Sequence, residues 1–245
     1  TELRVVGDGE QIVEAAANDG FIELLAVDEI RLLGTAASFE SEHVARVIDV
    51  GGAVVAPGFV DLHTRAMRGI FQVPTADNYV RQGVTTILEG PDGASPVPLK
   101  PFLDKLEALP RSLNIGSFIG QGSVRQAVMG LANRTASAEE LEHMRGLVRQ
   151  GMADGAFGLS TGLFYVPGAF TALAEVVELQ KIVAPYRGVH TSHMRDEAGR
   201  VVDSVKETIA IGEQGGVPTQ ISHHKTIGKA NWGRSVDTLR LVDEA

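Results

Sequence analysis

From residue 50 onward the chain repeats one device: a short apolar segment bounded by glycine or proline, followed by a stretch with helical periodicity. The apolar segments are VVAPGFVDLHT (54–64), GVTTILEG (83–90), NIGSFIG (114–120), AFGLSTG (156–162), GVHTSHM (188–194) and GVPTQISHH (216–224). Each is rich in β-branched or small apolar residues, as a strand buried on both faces requires. Between them, Ser137 with Glu140 three residues later predicts a capping box. Leu141, Met144, Leu147, Val148 and Met152 then fall on one helix face, and Gly155 stops the helix. Val201, Val205 and Ile209 repeat in the same way before Gly215. Strand–helix units of roughly 30 to 40 residues predict a parallel sheet with helices outside it. Six such strands are read, whereas a closed (β/α)8 TIM-type barrel needs eight. The expected fold is therefore α/β, an incomplete barrel over residues 58–245. The chain is expected to be a fragment of a longer protein. Residues 1–57, with short alternating pieces and Asp-Gly turns, predict a separate small β-rich module.

Composition narrows the functional classes. The net charge is −9 over 245 residues, which argues against nucleic acid or an anionic membrane as a partner. There is no cysteine, so disulfides and thiolate metal sites are excluded. No apolar run approaches the roughly 18 residues of a membrane span, and the first twenty residues lack the apolar core of a secretory signal. A soluble, cytoplasmic setting is expected.

Ionisable residues collect at the C-terminal ends of the strands, where parallel α/β folds place their active sites: Asp61 and His63 on the first, Glu89 on the second, His193 on the fifth and His223 on the sixth. Strict alternation groups Asp61, His63 and Arg65 on one face, Thr85, Ile87 and Glu89 on another, and Thr219, Ile221 and His223 on a third. Convergence of His63, Glu89, His193 and His223 is thereby available. Imidazoles with a carboxylate are the ligand types of a catalytic Zn²⁺, which acidifies a bound water and polarises a carbonyl. His190 and His224 have the opposite parity and are expected to face helices or bond locally. His43 and His143 are given no role.

Five segments carry a resemblance: APGFVDLHT (56–64), QGVTTILEGPDG (82–93), GAFGLSTGLFYVPG (155–168), HTSHMRDE (190–197) and ISHHKTIGKANWG (221–233). In order and spacing they resemble the N-acyl-D-amino-acid deacylase (D-aminoacylase) family of the amidohydrolase superfamily, and the chain looks like its N-terminal half. The resemblance implies a metal-dependent barrel beside a small β-sandwich, cleaving N-acyl-D-amino acids by attack of metal-bound hydroxide on the acyl carbonyl. It implies that His193 and His223 hold the tight metal, with Glu89 the first choice of third ligand and Asp92 the second. It implies substrate-carboxylate binding by Tyr165 and Lys225, with Arg195 grouped beside them in a structural or electrostatic role. A cyclic-amide hydrolase or dipeptidase of the same superfamily is the alternative reading, and a catalytically inactive fragment keeping the fold is another.

Two departures bear on chemistry. The family's first strand reads HxH and supplies ligands to a second, weaker metal; here it reads His63-Thr64-Arg65. A guanidinium stays protonated and cannot ligate a cation, so one tight Zn²⁺ site and a weakened second site are expected. The family's catalytic Asp lies past residue 245, so no residue here takes that role, and the missing half is expected to be needed to close the barrel.

Overall fold

The computed structural model describes residues 56–245 throughout and, before them, the backbone of five short strands. These are β1 (Glu2–Val5), β2 (Ala16–Asn18), β3 (Phe21–Glu23), β4 (Ile30–Leu32) and β5 (Arg46–Asp49). β1 pairs antiparallel with β4 and β5, with Leu3 opposite Leu32 and Ile48, while β2 pairs antiparallel with β3. Most of the β-sandwich expected for residues 1–57 lies outside the described residues.

The chain divides into two compact units. One is Thr1–Asp61, Thr75–Thr86 and Arg111–Asn114; the other is Leu62–Pro74, Ile87–Pro110 and Ile115–Ala245. The first holds β6 (Phe59–Asp61) and the short α1 (Asp77–Val80), and the Phe59 N–H bonds to the Gly83 carbonyl. β7 (Val84–Glu89) and β8 (Asn114–Ser117) begin in this unit and end in the other.

The second unit carries the repeating device. Its strands β9 (Ile119–Gly120), β10 (Gly158–Gly162), β11 (Val189–His193) and β12 (Thr219–Ile221) are parallel, each beside its predecessor. Only Phe118 separates β8 from β9. There the Phe118 N–H bonds to the Glu89 carbonyl on one side, and the Ser117 carbonyl accepts the Phe157 N–H on the other. The sheet thus continues in chain order from the end of β7 to β12, as right-handed βα connections produce.

The helices are α2 (Lys100–Glu107), α3 (Gln121–Met129), α4 (Ala138–Ala153), α5 (Leu173–Val183), α6 (Val201–Gly215) and α7 (Ser235–Asp243), and from α3 onward each packs against the next. The predicted capping box is present: the Ser137 hydroxyl accepts the Glu140 N–H, and the Glu140 carboxylate accepts the Ser137 N–H at 2.8 Å. α4 buries Met144, Val148 and Met152, with Leu141 and Leu147 half-buried beside them. Ile87, Ile119, Leu159 and Leu179 are fully buried, each contributing about 1.5–3 kcal/mol. Among the described residues no helix is long and apolar enough to cross a membrane.

Candidate metal centre

The centre forms where β7, β10, β11 and β12 end. The segment Glu89-Gly90-Pro91-Asp92-Gly93 leaves β7 and turns sharply, with positive φ at Gly90, Asp92 and Gly93. Ser160 on β10 pins this loop, its hydroxyl accepting the Gly93 N–H at 3.1 Å and donating to the Gly90 carbonyl at 2.6 Å. The loop lies so close to β10 that a Cβ at Gly162 would stand 2.0 Å from the Asp92 carbonyl oxygen, so only glycine fits there. Asp92 itself has φ 56, a left-handed conformation that asparagine and aspartate tolerate better than most residues. Positions of this kind cost of order 1–3 kcal/mol and persist where the surroundings enforce them.

This turn aims the buried Asp92 carboxylate into a nest of imidazoles. Oδ1 is 3.6 Å from His193 Nδ1 and 3.6 Å from His223 Nε2, and Oδ2 is 3.5 Å from His63 Nε2 and in close contact with Arg65 Nη2. The His193 and His223 rings meet edge to face with centroids 4.3 Å apart, and His63 stands 5.1 Å from His223. Burial pushes the Asp92 carboxyl up, but His193, then His63 and Arg65, outweigh it and hold the group below the ordinary carboxylate range.

Glu89, the first choice from the sequence, is engaged elsewhere. Its Oε1 accepts from the Ala66 N–H at 2.7 Å and from the Thr64 hydroxyl, and its Oε2 accepts from the Met67 N–H at 3.0 Å. It therefore fastens the segment after β6 instead of facing the histidines, and Asp92 takes that place.

His223 also departs from strict alternation. His190 on β11 shares a face with Thr161 and Thr219, its Nε2 2.9 Å and its Nδ1 3.3 Å from their hydroxyls. Thr219 packs against α6 at Gly212, so this is the helix-facing side, as parity predicted for His190. Four residues beyond Thr219, His223 should face the helices too, yet it meets His193. The reason is that β12 ends at Ile221 and the next residues bend away.

Glu197, to which the sequence reading assigned no role, accounts for the orientation of His223. His223 Nδ1 lies 2.8 Å from Glu197 Oε1 and 2.7 Å from Lys225 Nζ, while Lys225 donates to both Glu197 oxygens at 2.8 and 2.6 Å. An ammonium only donates and a carboxylate only accepts, so Nδ1 cannot satisfy both. Nδ1–H donation to Glu197 is the tautomer that leaves an Nε2 lone pair facing Asp92, the carboxylate–imidazole arrangement common behind metal-binding histidines. The acidic residue four places after His193 was the available sequence signal.

The other expected residues divide. The Tyr165 hydroxyl is 3.4 Å from His193 Nδ1, and the two rings lie tilted at 54° with centroids 4.6 Å apart. Burial, then the negative charge of Asp92, raises its pKa, keeping it a phenol donor. Arg195 points away from the centre: it donates to the Glu207 carboxylate and to the carbonyls of Ala169 and Thr171. It ties the segment after β11 to α6 and to the turn before α5, the structural side of the role expected of it.

The donor set fits a divalent cation. Among the described residues, two groups of side chains offer ligand atoms lying within 4.8 Å of one another: His63, Asp92 and His223, and His193, Glu197 and His223. Asp92 Oδ1 is buried and has no hydrogen-bond partner, although two imidazole nitrogens lie 3.6 Å away, beyond hydrogen-bond length. Ligand bonds of about 2.0–2.2 Å in a tetrahedral site separate ligands by roughly 3.3–3.5 Å, close to the 3.5–3.6 Å between the Asp92 oxygens and the three imidazoles.

No family model matches the chain. It is 37% identical over 221 residues to a D-aminoacylase of Alcaligenes xylosoxydans xylosoxydans, covering 81% of this chain and 46% of that protein. A solved D-aminoacylase, described with a binuclear metal centre in which one metal activates and the second attenuates, superposes with a TM-score of 0.73 at 32% identity, over 82% of this chain and 50% of the other. An N-acyl-D-glutamate deacylase from Bordetella bronchiseptica, solved with zinc and a phosphonate mimic of the tetrahedral intermediate, gives 0.73 at 29% identity, over 82% and 49%. The chain spans about half the length of these relatives.

Proposed function

Because the chain is homologous to D-aminoacylases over four fifths of its length, we propose that it is the N-terminal part of a metal-dependent amidohydrolase that removes the acyl group from N-acyl-D-amino acids. The observation that carries this reading is the buried, unpartnered Asp92 Oδ1 facing His193 and His223. Zn²⁺ is the assigned ion, held by Asp92, His193 and His223. When bound there, such an ion acidifies a water and polarises an amide carbonyl.

The chain's own residues supply the rest. Glu197 fixes the tautomer and orientation of His223. Lys225 gives two of its three donors to Glu197, leaving one for the free carboxylate of an N-acyl amino acid. Tyr165, raised in pKa and partly exposed beside His193, offers a second donor to that carboxylate, and such charge-assisted bonds are the strong ones. The carboxylates at the centre are engaged: Asp92 with imidazoles and Arg65, Glu89 with the segment after β6, and Glu197 with His223 and Lys225. Proton transfer to the leaving amine goes to the Asp that the family resemblance implies past residue 245.

In this reading the parallel strands are six staves of a (β/α)8 barrel over residues 58–245, residues 1–57 belong to the small β-rich module, and the protein is cytoplasmic. The barrel closes against β12, which among the described residues is paired only on its β11 side.

The test is hydrolysis by the chain completed in trans with a polypeptide supplying the remaining strands. N-acetyl-D-amino acids are expected to be cleaved and their L-enantiomers spared. A preference for L-substrates or for hydantoin rings contradicts the assignment.

A further inference from the structure

The Asp92 carboxylate has two differently furnished sides. Oδ1 faces His193 and His223 and has no hydrogen-bond partner. Oδ2 faces His63 at 3.5 Å and is in contact with Arg65 Nη2. A carboxylate bridging two positions, each with imidazole beside it, is the arrangement a two-cation centre requires, and of the group His63, Asp92 and His223 that could hold an ion, His63 stands on the Oδ2 side. Here a positive charge is already present on that oxygen.

The contact is built. The Arg65 side chain is 68% exposed along its length, yet its guanidinium turns inward onto a carboxylate that is 4% exposed. Its backbone is held on both sides: the Thr64 N–H bonds to the Leu88 carbonyl, and the Ala66 and Met67 N–H groups bond to Glu89. Glu89 thus fixes the segment from which Arg65 reaches Asp92. The guanidinium stays protonated and has no lone pair to offer. It both neutralises Oδ2 and repels any further cation within a few ångströms.

We propose that Arg65 is a built-in cation filling the second position of this centre, so that the site takes one divalent ion where a binuclear relative takes two. The inference rests on the reading that the Oδ1 side binds a divalent ion, and it goes further by fixing the stoichiometry and naming the residue that sets it. A centre of this kind has no place for an attenuating second metal.

The test is Zn²⁺ titration of the purified metal-free chain by calorimetry, with metal analysis after gel filtration, on the native protein, Arg65→His and Arg65→Lys. Thermal melts followed by circular dichroism check that each variant keeps the fold. The expected stoichiometries are one equivalent for the native chain, two for Arg65→His, which exchanges the fixed charge for a ligand, and one for Arg65→Lys, which keeps the charge. Two equivalents in the native chain, two in Arg65→Lys, or one in Arg65→His each overturn the role of Arg65 while leaving the metal reading intact. No binding by the native chain overturns the metal reading itself, and the inference with it.

Discussion

Asp92 and Glu89 lie three residues apart, and the fold gives them different work. Asp92→Asn is expected to lower Zn²⁺ affinity at least about tenfold, since a neutral amide replaces the carboxylate proposed to hold the ion. Glu89→Gln is expected to keep the stoichiometry and to cost about 1–3 kcal/mol of stability, because a carboxamide cannot accept all the donors converging from Thr64, Ala66 and Met67. Calorimetric Zn²⁺ titration and denaturant unfolding of the two variants separate these effects. Loss of metal binding in Glu89→Gln with full binding in Asp92→Asn contradicts the assignment. The sequence placed both acids in one EGPDG stretch, with Glu89 as the first choice of ligand and Asp92 as the second. Counting alternation from Thr85 selects Glu89, whereas the positive-φ backbone at Gly90, Asp92 and Gly93 turns the later acid back towards the histidines. That turn depends on contacts with Ser160 and Gly162, some seventy residues away along the chain.

At the level of elements, the strands were legible because segments buried on both faces must be apolar and bounded, and the helix through Ser137–Glu140 because its cap is local. Register held within strands and failed past their ends. It correctly put His190 on the helix side, and it misjudged the route by which His223 reaches the centre. His190 also makes stability depend on pH. Fully buried between the Thr161 and Thr219 hydroxyls, it is pushed down by burial from the ordinary 6.5 to about 3. Between those values the unfolded chain takes up a proton that the folded chain refuses, so stability falls as pH drops below 6.5 and continues to fall towards 3. The loss attributable to this residue is about 2 kcal/mol at pH 5 relative to neutral pH. Denaturant unfolding at pH 7.5 and pH 5 is expected to show that drop in the native chain and a smaller one in His190→Gln. An equal drop in both proteins contradicts it.

For the whole chain, its sequence is similar to about half of a D-aminoacylase, and its strands lie in chain order with β12 at the end of the sheet. Beside β12, a groove of about 750 Å³ is lined by Ile209, Val217, Thr219, Ile221, Leu239 and Val242, an apolar surface between α6 and α7. A strand edge unpaired among the described residues, next to such a groove, suits one further strand–helix unit of the proposed barrel. The sequence could disclose this repeating plan because every unit solves the same burial problem. The metal centre is harder to read because it draws on loops from several units, where no period applies. Its ligand set is the central claim, and anomalous diffraction at the zinc edge from crystals grown with Zn²⁺ tests it most directly. One strong peak is expected within bonding distance of Asp92 Oδ1, His193 and His223, with none beside His63 and Arg65. A peak on Glu89, or none among these residues, contradicts the account.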